Sequence, residues 1–520
     1  MQINIIIPKT NISAIRKQIS ILLLLLLFNE VNAFSQERFG ISNSMYSGIT
    51  SASLNPAYLA GSPYKWDLNI LTAHLYLDNN YLYLYPTNIP DLIADQGSTS
   101  IKNNGTLNQP LIVSLPLISI KIDNIFNSYS NINSKYIIKD KRYNSWRKNF
   151  YVKTLVQTPS LMINVKKWSF ALITATRAEA SFTRFHKIGA NLLFEGVNYD
   201  PINNIDVSIP KFRINAMIWD EIGVSVARKI KQENGYLIEG GITIKHVRGF
   251  GAAYILNKEI KLSIPNAKDI YIENIDTKFG YAFDAGNTLR TIGSGKSIDV
   301  GIAIEKKILK NKYQCPNFCN KKFELQYSWK LGFSLIDIGY IRFNNSAKIY
   351  HINGRSDMWY NIVGIKGHGI GWYDSIMGAH FNNGQLLAPI GTKFTMFLPW
   401  AASVQFDYNI GYNFYVNGTL IQRIPHFGLP GIDRVNTISI TPSYELRKLG
   451  FAVPVVFYQY LWPRIGLALR LNNFLIIGTD KLGAFTGKRL SGEDIYVILK
   501  INNLKKCKTS KKKRKTAPSF

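Results

Sequence analysis

Apolar and polar residues alternate along much of this chain with a period of two. Residues 236–247 show it plainly: Ile242 and Ile244 interleave with Thr243 and Lys245. A strand turns successive side chains to opposite faces, so this pattern predicts β-structure with two chemically different faces. The same criterion predicts strands over 64–77, 160–166, 168–175, 221–231, 236–247, 278–285, 297–307 and 323–336. A second group follows over 401–410, 412–421, 437–447, 451–460, 463–472, 474–477 and 494–501. Val165-Lys166-Lys167 and Glu233-Asn234-Gly235 read as tight turns between neighbouring strands.

Many of these segments have the length that a tilted strand needs to cross a bilayer, about 9–11 residues. Short turns alternate with long polar stretches such as 91–110 and 350–391. That asymmetry suits a barrel with turns at one end and loops at the other. Aromatics gather near strand ends: Tyr327 with Trp329, Trp400 with Phe406, Tyr412 with Phe414 and Tyr415, and Phe457, Tyr458, Tyr460 and Trp462. Membrane barrels carry such girdles at both interfaces. A soluble sandwich or propeller of 520 residues would show an internal repeat, and none is found. The expected fold class is all-β: a transmembrane, antiparallel outer-membrane β-barrel. A closed barrel satisfies its backbone internally, which an open sheet in lipid does not.

Past the N-terminus no apolar run approaches the ~18 residues of a spanning helix. The N-terminus reads as a secretory signal peptide. Lys9, Arg16 and Lys17 precede a short apolar core, 21–28, and then Val31-Asn32-Ala33-Phe34-Ser35-Gln36. Cleavage fits after Ala33 or after Ser35. The expected organisation is a signal peptide (1–33), an N-terminal periplasmic or plug segment (34–63), a barrel (64–503) and a basic, disordered tail (504–520).

Charge changes the picture little. Lys and Arg total 62 against 33 acids, a net +29. Eight of these cations crowd into 505–515, and the rest are scattered through alternating segments. This is no nucleic-acid footprint. It suits an anionic surface such as lipopolysaccharide, or a solvated face, and outer-membrane lipid is the expected surrounding.

Three stretches resemble known barrels. Ser53-Leu54-Asn55-Pro56-Ala57-Tyr58-Leu59-Ala60 resembles the Asn-Pro-Ala signature of FadL/PorV-like outer-membrane barrels. The stretch 329–341, Trp-Lys-Leu-Gly-Phe-Ser-Leu-Ile-Asp-Ile-Gly-Tyr-Ile, resembles that of an uncharacterised family of Bacteroidota outer-membrane proteins. So do 464–471, 477–480 and 494–501 near the end. The resemblance implies a barrel of about fourteen strands, and it brings no enzymatic activity and no substrate.

Asn55, Pro56 and Ala57 are candidates for a plug or lumen lining. Asn-Pro also favours a simple turn at strand entry, and both readings stand. Asp337 lies between Ile336 and Ile338, so alternation turns it opposite to both. An acid facing lipid is costly, which sends it into the lumen, either bonded to an Arg or placed as a gating or ligand contact. Arg470 and Asp480, within the closing stretches, are the remaining lumen candidates. Cys315 and Cys319, in Gln-Cys-Pro-Asn-Phe-Cys-Asn, suit a loop disulfide in an oxidising compartment, with free thiols as the alternative.

Gly293-Ser294-Gly295-Lys296-Ser297 imitates a phosphate loop, but Arg290 stands where the motif needs Gly, and a strand pattern follows. The seven His are dispersed. No metal site, cofactor or catalytic constellation is expected. Two functions fit: a channel or transporter for small, hydrophobic ligands, or a non-conducting scaffold that binds partner proteins in secretion or surface assembly.

Overall fold

The structure is a computed structural model. It describes residues 37–94, 101–103, 136–140, 147–195, 205–266, 268–284, 290–308, 327–360, 378, 380–382, 385 and 387–505. The signal peptide, Cys315 and Cys319, and residues 506–520 of the basic tail lie outside the described residues.

Fourteen antiparallel strands close into one barrel. They are β1 (Tyr64–Asn79), β2 (Arg147–Gln157, resuming at Ser160–Val165), β3 (Trp168–His186), β4 (Asp206–Glu233), β5 (Tyr236–Ser263), β6 (Ile270–Ala282 and Gly293–Lys307) and β7 (Tyr327–Phe343, Ala347–Asn353 and Asp357–Trp359). The rest are β8 (Phe394–Phe397 and Ala401–Gly411), β9 (Phe414–Arg423), β10 (Thr437–Glu445), β11 (Leu449–Ala452 and Val455–Tyr458), β12 (Pro463–Ile465 and Leu467–Leu471), β13 (Leu475–Thr479) and β14 (Gly492–Leu504). Each strand pairs with the next. The ring closes where β14 runs antiparallel to β1, from Tyr64↔Leu504 to Asp78↔Gly492. Leu82–Tyr85, Ile101–Asn103 and Tyr136–Asp140 form a small separate sheet.

The alternation of the sequence becomes an inside and an outside. On β5, Thr243 and Lys245 are buried while Ile242 and Ile244 are exposed. On β6, Asp299 is buried while Ile298 and Val300 are exposed. Exposed Leu, Ile, Val and Phe continue around the ring, for example Phe170, Val224, Phe333, Phe406, Ile440, Phe451 and Ile477. Lys296 and Lys306, both exposed, flank this band on β6. Their ten-residue separation measures about 33 Å along a strand, or about 25 Å when tilted by ~40°, the height of a lipid-facing band.

Tight turns collect at one end. Asn234 (φ 49) and Gly235 (φ 80) both take left-handed conformations, as the twist of a two-residue hairpin requires. Tyr412 and Asn413, and Asn472 and Asn473, do the same at that end. Both ends of the described chain's barrel, Tyr64 and Leu504, lie there too.

The strands differ from expectation in length. β4 and β5 each run 28 residues, far beyond the 9–11 of a crossing. They continue past the apolar band, where Val207, Ile209, Phe212 and Leu262 form a separate apolar cluster joined by Ile188 and Leu192 of the helix Lys187–Glu195. Strand also intrudes on the expected loop at 350–391, as Ala347–Asn353 and Asp357–Trp359.

Candidate functional site: the interior of the barrel

Residues 37–61 lie inside the barrel. They include a 3-10 turn, Gly48–Ser53, and a single helical turn, Tyr58–Gly61. Short polar side chains bend this segment back on itself: Thr50 Oγ1 donates to the Ser47 carbonyl (2.6 Å) and Ser51 Oγ to that of Gly48 (2.7 Å).

Asn55 is fully buried against the wall. Its Nδ2 lies 2.9 Å from Gln405 Oε1, 3.2 Å from the Ile302 carbonyl and 3.3 Å from the Phe333 carbonyl. Its Oδ1 accepts the Ala57 N–H at 3.0 Å, closing an Asx turn around Pro56. Three wall glycines make this approach feasible. A Cβ at Gly301 would strike the Asn55 carboxamide, one at Gly332 the Tyr58 hydroxyl, and one at Gly241 the Pro56–Ala57 peptide. Asn-Pro-Ala therefore sits in a notch on the inner faces of β5, β6 and β7.

Asp337 faces the interior, but its geometry departs from simple alternation. Its φ is +57, and the β6–β7 register slips between Ile298/Ile338 and Val300/Leu335. This bulge puts Ile336 on the inside with it, packed against Phe39 and Leu54. Only Ile338 keeps the opposite face that alternation predicts for both isoleucines.

Three cations converge on the Asp337 carboxylate. Arg177 Nη1 lies 3.0 Å from both oxygens, Lys245 Nζ 2.8 Å from Oδ1 and Arg434 Nη2 2.7 Å from Oδ2. Arg177 also binds Glu179 (2.6 Å) and Glu221 (3.5 Å), Lys245 binds Asp299 (2.9 Å), and Lys153 approaches Glu179 (3.7 Å). Arg434 reaches Glu37 of the N-terminal segment at 3.3 Å. Burial alone would raise the Glu37 carboxyl, but Arg434, Lys153 and Arg177 together outweigh it and hold the group below the usual carboxylate range. An ionic layer thus crosses the barrel and joins β2 to β7, the N-terminal segment and the loop after β9.

That loop, residues 424–436, dips into the lumen. Asp433 accepts the Thr183 hydroxyl (2.9 Å) and faces Arg423 (3.5 Å), and its N–H donates to Ser181 Oγ (3.1 Å). The Gly431 N–H donates to Asn215 Oδ1 (3.3 Å). Towards the loop end, the ionic layer gives way to an apolar lining of Met217, Trp219, Val247, Tyr254, Phe343 and Met396, which Ile432 of the loop joins.

Towards the turn end, the N-terminal segment is tied down again. Arg470, on β12, binds Glu445 (2.8 Å) and lies over the Tyr46 ring (4.1 Å), and Ser44 donates to the same Glu445 (2.5 Å). Lys500 bridges Asp67 (2.7 Å) and the Ser47 carbonyl (2.6 Å). Nearer the ionic layer, past the loop-side end of β13, Asp480 accepts the Phe39 N–H at 3.0 Å. The sequence candidates therefore fall at three places along one buried segment, not in one pocket.

Sequence reasoning did not single out Arg177, Glu179, Glu221, Lys245, Asp299 or Arg434. The strand members carry a signal that could have found them: a charge at the buried phase of an alternating run, as Asp299 is between Ile298 and Val300. Arg434 sits in a loop and has no such signal. Among the described residues no group of three or more His, Cys, Asp or Glu could hold a metal ion.

A closed, fourteen-stranded barrel with an apolar outer band and an occupied interior defines the class. The chain belongs to the family of unknown function DUF5723, which matches residues 112–480. No curated protein matches it in sequence. Among solved structures it is similar to a FadL homologue of Pseudomonas aeruginosa, with 10% identity over 90% of this chain and 98% of that one, at a TM-score of 0.37. It is also similar to the toluene transporter TodX of P. putida (9%, covering 92% and 99%, TM-score 0.38) and the toluene transporter TbuX of Ralstonia pickettii (7%, covering 91% and 99%, TM-score 0.39).

Proposed function

We propose that the protein is an outer-membrane barrel that passes small hydrophobic molecules through its lumen. Residues 37–61 act as the plug and residues 424–436 as a latch upon it. The observation that carries this reading is the meeting of both segments at Asp337, directly beneath an apolar lining. Arg434 holds Asp337 and Glu37 together, so one side chain couples loop to plug. A membrane-barrel lumen is ordinarily polar, and an apolar cluster inside one suits an apolar ligand. An ionic latch suits a gate, because a few charge pairs in a confined site can be exchanged as a unit.

A second reading, a non-conducting scaffold for partner proteins, is favoured by the number of ties that hold the plug: Asn55, Ser44, Lys500 and Asp480 each anchor it separately. Planar-bilayer recording together with uptake of an apolar solute into liposomes separates the two. Openings and solute uptake support transport; a silent barrel without uptake supports the scaffold. The barrel itself is tested by gel migration of unheated and boiled protein from outer-membrane fractions, which should differ. Identical migration with recovery in the soluble periplasm would sink both readings.

A further inference from the structure

The outer wall carries a feature that transport does not use. The register of β4 to β7 sets Asp220, Arg248, Ser294 and Arg342 side by side in one row. The next row towards the apolar band is Ile222, His246, Lys296 and Tyr340, and the one after it is Val224, Ile244, Ile298 and Ile338. His246, Arg248, Lys296 and Arg342 are exposed, while their strand neighbours Val247, Ser297 and Ile341 are buried. These cations therefore point away from the lumen, at the loop-side edge of the lipid-facing band.

Arg248 is held by Asp220, with Nε donating to Oδ1 at 3.0 Å. Lys296 and Arg342 have no ion-pair partner among the described residues. Strand spacing of about 4.8 Å puts the backbones of Arg248 and Arg342 about 10 Å apart, with Lys296 one step below and between them. Side chains of this length can turn their heads to one anionic group at the interface while their stems stay on the apolar wall. The patch is local. At the opposite edge of the band, Tyr236 packs edge-on to Trp329 at 6.1 Å, and further round the ring on the loop side the exposed residues are Tyr460, Leu461 and Trp462, between β11 and β12.

We propose that Lys296 and Arg342, flanked by Arg248 and His246, form a binding site for the phosphate-bearing headgroup of a lipid in the leaflet on the long-loop side. Charge complementarity selects the phosphate, and Arg gives it directional hydrogen bonds. The Ile222, Val224, Ile244 and Ile298 surface below takes the acyl chains. The site rests on the barrel spanning a membrane, and the two fail differently: a soluble protein would lack the heat-dependent gel shift, whereas a failed site would leave that shift intact.

The test is native mass spectrometry of the full chain, released from detergent micelles with diphosphoryl lipid A or with the same lipid stripped of phosphate. Wild type should retain the phosphorylated lipid at least tenfold better than the stripped one. Each removed cation should cost about fivefold, so K296Q/R342Q should lose about 25-fold. Lys306→Gln, at the other edge of the band, should change nothing. Equal retention of the two lipids by wild type overturns the site, and so does equal retention of lipid A by wild type and K296Q/R342Q. If the double variant does not show the gel shift of a folded barrel, the two-lipid comparison on wild type decides alone.

Discussion

Arg434 descends from the loop after β9 and places its Nη2 2.7 Å from Oδ2 of Asp337 on β7, across the interior of the barrel. Both side chains are buried, and the same nitrogen lies 3.3 Å from Glu37. The contact ties an inward loop to the N-terminal segment at the level where the lumen turns from ionic to apolar. Removing one member of a buried pair leaves the others uncompensated, at a cost of about 3–5 kcal/mol. Arg434→Ala should therefore free residues 424–436 from the ionic layer and raise the frequency of openings in planar-bilayer recordings. Recordings indistinguishable from wild type would remove the latch from the proposal.

The notch at Asn-Pro-Ala makes a steric prediction. A side chain at Gly301 occupies the space of the Asn55 carboxamide. Gly301→Val should displace residues 55–57 and destabilise the docked segment by about 1–3 kcal/mol, the usual cost of overpacking. The readout is proteolysis within residues 37–61 of a barrel that still shows its gel shift. Protection equal to wild type would mean that the notch does not hold the segment.

Acid should loosen the latch. Glu37 has a lowered pKa, so its charge pairing stabilises the docked state fully above its ordinary value of 4.5. The contribution fades as pH falls through the lowered folded value. Openings should become more frequent on acidification below about pH 4.5, and Glu37→Gln should be frequent at neutral pH and less sensitive to acid. Equal acid sensitivity in wild type and E37Q would assign the effect to another group.

The two ends of the barrel predict a topology. With both barrel termini at the turn end, a short epitope inserted between Ser263 and Ile270 should bind antibody on intact cells. The same epitope after Asn234 should be reached only once the outer membrane is permeabilised. The reverse pattern would invert the barrel.

Much of the wall was legible along the chain, because alternation is a local property. Ile242, Thr243, Ile244 and Lys245 announce a strand with a lipid face and a lumen face wherever it ends up in the ring. Asn234-Gly235 announces its hairpin for an equally local reason, since both residues tolerate a left-handed backbone. The length of β4 and β5 was hidden, because alternation weakens beyond the band where no lipid demands it. Periodicity also misassigned Ile336: a single left-handed residue at Asp337 shifts the phase, and nothing in the neighbouring side chains marks a bulge. The interior depended on closure. Arg177, Lys245 and Arg434 lie far apart in sequence and meet only because fourteen strands bring their lumen faces to a common centre. There, three cations on one carboxylate are affordable in free energy only because the surrounding acids were brought to the same place. Asn55 read equally well as a turn or a plug residue; what decided its place was a set of absent side chains, at Gly241, Gly301 and Gly332, on three other strands.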